Sequence, residues 1–408
     1  MKRVTLWRFA VAIALATATT AWAQKIDTDE RRTDPVPHRY IHGELGDAKF
    51  QLALPDDWNG KVLIGARGYS GTELSTGDFK PVGLRKGYAY ALSDHGWFRP
   101  TIIEETEDKY LESQRRILQL TQYVKETARR YYGRPASRTF MVGGSNGGHN
   151  TKMMVENFPT EYDGGVAGYG ITSYIEWMAH NARFLRNYDV IASRIADIVA
   201  ARAADPNWDP ATTPLSPPLT SDQLQALLNI YVMPAEVALG LEFNVGCPPG
   251  SEYSWDRLYT NLRGYLLDSL AKFDPSYDPN GDGVLSLEEH KAWEPSLSPV
   301  QFQSTMRRLD NSGNLRRPVI IMHGSHDVIV TPGETDVYKR MVEQRFGVAG
   351  ARNVLAIYYI PGMGHGGPEY DAVIGAQLDA LEAWVDYRQS GGRSGAPPPN
   401  VLGGYPRD

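Results

Sequence analysis

The chain has 408 residues, 42% of them hydrophobic, with 42 lysines and arginines against 48 aspartates and glutamates, for a net charge of −6. That is enough for one large α/β core with an insertion, or for two domains, while the acidic balance argues against nucleic acid or anionic membranes as partners. One cysteine, Cys247, leaves no intramolecular disulfide to form, so stability has to come from the apolar core and from any bound metal.

Residues 1–23 read as a secretory signal peptide. Lys2, Arg3 and Arg8 make the positive start, Phe9 to Ala16 the apolar centre, and Ala21-Trp22-Ala23 the small-residue cleavage site, with the cut before Gln24. A membrane anchor is the rival reading, but the apolar stretch is short of the ~20 residues a spanning helix needs. The expectation is a soluble protein, secreted or periplasmic. Residues 24–37 are polar, charged and end in prolines, which predicts a disordered or loosely docked leader.

The catalytic core is expected over 38–170 and 317–389. Short apolar runs at 61–65 and 88–92 predict buried strands, and the amphipathic pattern from Tyr110 to Tyr132 predicts a long helix ending at Gly133-Arg134-Pro135. A third strand at 138–142 leads directly into Gly143-Gly144-Ser145-Asn146-Gly147-Gly148. Further strands follow at 318–322 and 354–359, with a helix near 337–346 between them. Strands alternating with helices predict an α/β fold: a mostly parallel sheet with helices on both faces. Between 171 and 316 the alternation gives way to a helical, aromatic, proline-punctuated stretch, expected to be a largely helical lid inserted between two strands. The tail 390–408, rich in glycine and proline, is either disordered or a surface strap.

The run around Ser145 is a G-x-S-x-G pattern placed as a nucleophile elbow, where a sharp strand-to-helix turn exposes the serine and demands small neighbours. A serine needs a base within reach and an acid behind the base. Asp327 follows the strand at 318–322, and His365 lies in the glycine loop after the strand at 354–359. Ser, Asp, His is the chain order of α/β-hydrolases. The backbone N–H of Asn146 is the expected first oxyanion donor, and Gly68 or Tyr69, in the loop after the first strand, the second. His323 and His326 form an H-x-x-H pair, too few ligands for zinc, and His149 is assigned a packing or pocket role.

Leu54-Pro55, Trp58-Asn59-Gly60-Lys61, Tyr131-Tyr132-Gly133-Arg134-Pro135, the elbow, Phe158-Pro159, Tyr162-Asp163-Gly164 and Pro361-Gly362-Met363-Gly364-His365 together resemble the tannase and feruloyl esterase family of α/β-hydrolases. The resemblance implies a nucleophile at Ser145, an acid at Asp327, a base at His365 and a lid that shapes the acyl pocket. It implies an aromatic, gallate- or ferulate-like ester as substrate and no organic cofactor. In that family a cysteine commonly precedes the serine, another follows the histidine, and a disulfide ties them; here those positions hold Gly144 and Gly366. Oligomeric esters, a diketone carbon–carbon bond or a peptide bond fit the same three residues. A calcium-stabilised binding protein on this scaffold is the non-enzymatic alternative.

Residues 278–289 fit a twelve-position calcium loop. Asp278, Asn280 and Asp282 stand at positions 1, 3 and 5, Gly283 at 6, the Val284 carbonyl at 7, Ser286 at 9 and the bidentate Glu289 at 12. A structural Ca²⁺ stapling the lid is the expectation. Trp177, Tyr231, Phe243 and Trp255 are aromatic candidates for either pocket or lid core, and Cys247 for a small buried hydrophobe.

Overall fold

A computed structural model of the protein describes residues 24–399 apart from 69–70, 76–78, 96–107, 206–207, 209, 211, 231–258, 261–262, 265, 267–269, 271–276, 285, 325–326, 328, 361–362, 367. The signal peptide expected at 1–23 and the end of the tail, 400–408, lie outside the described residues.

The sheet has nine strands in the order β1-β2-β3-β5-β4-β6-β7-β8-β9. They are β1 Gln24–Arg32, β2 His38–Leu45, β3 Ala48–Pro55, β4 Lys61–Ala66, β5 Ala89–Ser93, β6 Arg138–Gly144, β7 Gly164–Gly168, β8 Val319–Gly324 and β9 Leu355–Ile360. The first three strands and β5 form an antiparallel ladder, and from β5 to β9 all pairings are parallel. Parallel strands need crossover helices, and these cover both faces of the sheet. Helices α1 (Phe79–Arg85), α2 (Asp108–Tyr132) and α3 (Asn146–Asn157) cross between strands of the first half.

Alternate side chains of each strand go to opposite faces. Val62 and Ile64 of β4 join a core with Ile117, Leu120 and Val124 of α2, whereas Leu63 points to the other face with Leu84 of α1. Between β7 and β8 the described elements are helical: α4 Tyr174–Ser193, α5 Ile195–Ala204, α6 Ser221–Ile230, α7 Leu287–Ala292, a 3₁₀ turn at Pro295–Leu297 and α8 Val300–Arg307. They enclose a separate apolar cluster that includes Trp177, Met178, Phe184, Trp293 and Met306. Two long helices, α9 (Pro332–Ala351) and α10 (Pro368–Ser390), close the α/β unit. Tyr338 and Val342 of α9 pack on the α2 face, Leu378 and Trp384 of α10 on the α1 face.

The leader differs from expectation. Gln24–Arg32 is strand β1, paired along its length with β2. Almost all its side chains are exposed, so no hydropathy signal marks it. Backbone pairing holds it, with an Arg39–Asp29 ion pair at 2.6 Å and another between Arg31 and Asp56. The described start of the tail runs back along α10, where the Ala396 N–H donates to the Ala383 carbonyl at 2.9 Å.

Candidate active site

Strand β6 ends at Gly144 and α3 begins at Asn146, so Ser145 alone makes the turn, at φ 58° and ψ −127°. A non-glycine residue in that region is strained and persists only where its surroundings over-determine it. Here the Ser145 N–H donates to the Gly168 carbonyl at 3.0 Å, and the Ser145 carbonyl accepts from His149 N–H at 3.1 Å. Gly147 has to be glycine: a Cβ there would lie 2.1 Å from the Ala66 carbonyl oxygen.

The structure brings Ser145, Asp327 and His365 together. His365 Nδ1 lies 2.8 and 3.0 Å from the two Asp327 oxygens, and Nε2 lies 2.8 Å from Ser145 Oγ. The carboxylate assigns the proton to Nδ1, which leaves Nε2 free to accept from the serine hydroxyl. Asp327 is itself fixed, its Oδ1 accepting the N–H groups of Ile329 and Val330, each at 2.9 Å. Burial pushes its carboxyl up, but the facing His365 and hydrogen bonds from His323 and His365 outweigh that and hold it below the usual carboxylate range. It therefore stays ionised behind the imidazole.

His323 is buried, with Nδ1 2.7 Å from Thr335 Oγ1 and Nε2 2.7 Å from the Val330 carbonyl, and so braces the acid loop. His326 lies outside the described residues. His149 is buried in α3 against the Ile171 carbonyl at 3.0 Å and edge-on to Tyr174. Burial, aided by the Lys152 charge, lowers its imidazole to about 3, so it is neutral.

Asn146 is the first residue of α3, and the first N–H groups of an α-helix have no acceptor within the helix. Gly68 follows β4, beside open space: a Cβ there would meet nothing within 4 Å. Tyr69 lies outside the described residues. Two side chains that sequence reasoning did not single out touch Gly68 and Asn146. Buried Arg67 donates from Nε to the Asp94 carbonyl at 2.7 Å and from a terminal nitrogen to the Gly68 carbonyl at 3.0 Å. The Tyr174 hydroxyl donates to Asn146 Oδ1. Arg67 carries a faint signal, as a cation directly after an apolar strand; Tyr174 carries none.

The calcium-loop residues lie together in the insertion, but their oxygens engage the loop itself. Asp278 accepts from Gly281 and Gly283 N–H, Asn280 from Asp282, and Asp282 from Val284. Ser286 and Glu289 form a capping box at the start of α7. Among the described residues no group of three or more acidic, histidine or cysteine side chains converges as a metal site. Trp177 lies in the insertion core, its indole donating to the Ile329 carbonyl at 3.0 Å; Tyr231, Phe243, Cys247 and Trp255 lie outside the described residues. No described helix is long and apolar enough to cross a membrane.

A mostly parallel sheet, a serine alone on a strand-to-helix turn, and histidine and aspartate from later strand ends define an α/β-hydrolase. Residues 39–204 match the family described as Tannase and feruloyl esterase. That stretch is about two fifths of the chain and contains the elbow serine, so this part of the chain is similar to that family. It is 30% identical over 147 residues to a mono(2-hydroxyethyl) terephthalate hydrolase of Piscinibacter sakaiensis, an alignment covering 31% of this chain and 24% of that protein. To an uncharacterized esterase of Agrobacterium fabrum it is 28% identical over 84% of this chain and 74% of the relative. The structure of a tannin acyl hydrolase from Aspergillus niger shares the fold, with a TM-score of 0.56 at 15% identity, over 91% of this chain and 85% of that one.

Proposed function

We propose that the protein is an exported serine esterase that cleaves an aromatic carboxylic ester through an acyl-enzyme on Ser145. The observation that carries this reading is the continuous hydrogen-bonded line from Ser145 Oγ through His365 to Asp327. Ser145 Oγ attacks the ester carbonyl while His365 Nε2 takes its proton, and Asp327 steadies the imidazolium. The carbonyl oxygen gains negative charge for which Asn146 N–H is the proposed first donor and Gly68 or Tyr69 N–H the second, and one oxyanion donor is worth about 10²–10³ in rate. Collapse expels the alcohol, protonated by His365, and water activated by the same imidazole releases the acid and regenerates Ser145.

The aromatic acyl group rests on kinship, since relatives named above are a terephthalate-ester hydrolase and a tannin acyl hydrolase. The helical insertion is proposed as the lid that shapes the acyl pocket, and export rests on the pattern of residues 1–23. Calcium is proposed as a structural ion of the insertion, held by Asp278, Asn280, Asp282, the Val284 carbonyl, Ser286 and Glu289. Gly281 and Gly283, both at positive φ, give that loop the turn it needs, and Glu289 would have to give up its cap on Ser286 N–H.

The test is hydrolysis of methyl gallate, methyl ferulate, a terephthalate monoester and short and long nitrophenyl esters by wild type and Ser145→Ala. The expected result is aromatic-ester turnover that the variant loses. Turnover of nitrophenyl esters alone would remove the aromatic assignment, and turnover undiminished in the variant would remove the mechanism.

A further inference from the structure

Gly144, just before Ser145, and Gly366, just after His365, both abut the phenol of Tyr169. A Cβ on Gly144 would lie 2.4 Å from Tyr169 Oη and 2.5 Å from Cζ, and one on Gly366 would lie 2.8 Å from Oη and 3.3 Å from Cζ. The end of the ring thus fills the space between the elbow and the histidine loop, and neither glycine can carry a side chain while it is there. The same ring meets the His365 imidazole edge-on, with centroids 4.8 Å apart and planes at 66°.

Tyr169 is firmly seated. It directly follows β7, its N–H donates to the Met322 carbonyl of β8 at 2.7 Å, and its ring packs on the core that contains Met363. Its φ of 34° is unusual for a bulky residue, a strain that the surrounding contacts maintain. The loop it faces has the opposite character. Gly364 and Gly366 flank His365 directly, and a glycine on each side of the base leaves its backbone without side chains to fix it. A base carried on such a loop needs an external stop, because a misplacement of ~1 Å can cost about 10²-fold in rate.

We propose that Tyr169 is a positioning residue: its phenol, wedged between Gly144 and Gly366, sets the His365 loop at hydrogen-bonding distance from Ser145. It does by packing what a covalent tie between the two flanking positions would do. The kinetic consequence rests on the serine esterase reading, whereas the spacing does not.

The test compares Tyr169→Phe, which keeps the ring, with Tyr169→Ala and Tyr169→Leu, which remove the wedge, in the mature full-length protein. Two readouts are taken: the low-field proton resonance of the His365 Nδ1–H donated to Asp327, and kcat and KM for nitrophenyl acetate. For Ala and Leu we expect the resonance to broaden or vanish and kcat to fall about tenfold or more with KM within about twofold. Phe should keep the resonance and stay within about threefold of wild type. A sharp resonance and undiminished kcat in the Leu variant, whose bulk preserves the core, would overturn the proposal. So would a loss confined to KM, which would make the ring part of the ester pocket instead. If no variant and no wild type turns over ester, the esterase reading fails separately, and the resonance alone decides whether Tyr169 sets the loop.

Discussion

The Tyr174 hydroxyl donates to the side-chain carbonyl of Asn146, joining the first residue of the inserted helices to the residue that follows the serine. Both side chains are buried. The bond fixes the start of α3, and with it the N–H expected to face the oxyanion, by a contact from the insertion. Tyr174→Phe removes the donor and leaves Asn146 Oδ1 buried without it. The expected outcome is a fall in kcat of about tenfold with KM little changed, as befits a loss felt in the transition state. Steady-state kinetics on any accepted ester checks this, and an unchanged kcat would show that the insertion does not set the donor.

Asp327 holds the tautomer of His365. Asp327→Asn keeps the shape but presents an amide to Nδ1, which favours a proton on Nε2 and takes away the acceptor for Ser145. By analogy with serine-histidine-aspartate enzymes in general, kcat should drop by about 10³–10⁴. A drop of less than tenfold would mean that Asp327 is not the orienting acid.

Asp310 gives the fold a specific pH dependence. Burial raises its carboxyl from the ordinary 3.8 to about 7, against a hydrogen bond from Ser173 and the charge of Arg307. Between those two values the folded chain binds more protons than the unfolded chain, so this group lowers stability as pH rises from about 4 to about 7. Asp310→Asn should therefore stabilise by about 1 kcal/mol at pH 8, allowing for partial exposure, and by nothing at pH 4. Urea unfolding of both proteins at the two pH values reads the difference, and equal effects at both would refute the assignment.

Chelation tests the metal. EDTA should lower the melting temperature of the wild type, calcium should restore it, and Asp278→Ala should be insensitive to either. A melting temperature indifferent to EDTA, with no calcium copurifying, would leave 278–289 as a solvated turn with a capping box.

The elements with dense apolar runs were legible in the sequence. The strands expected at 61–65, 88–92, 138–142, 318–322 and 354–359 fall on β4, β5, β6, β8 and β9 to within two residues. Their side chains are buried on both faces, as in a parallel sheet. Strand β7 carries no such mark, because three of its five residues, GGVAG, are glycine, a residue depleted from strands. Strand β1 hides for the opposite reason, being wet on both faces. In the site, Ser145, Asp327 and His365 follow from motif and order alone. Arg67, Tyr169 and Tyr174 do not, since their roles come from contacts that only the folded chain creates.

The most direct measurement is reaction of the folded protein with a fluorophosphonate, which captures a serine activated by a neighbouring base, followed by peptide mass mapping. A single adduct on the peptide containing Ser145, lost in Ser145→Ala and strongly slowed in His365→Ala, is the predicted result. A folded wild type that takes no adduct, or takes it at another serine, would contradict the assignment of Ser145 as nucleophile.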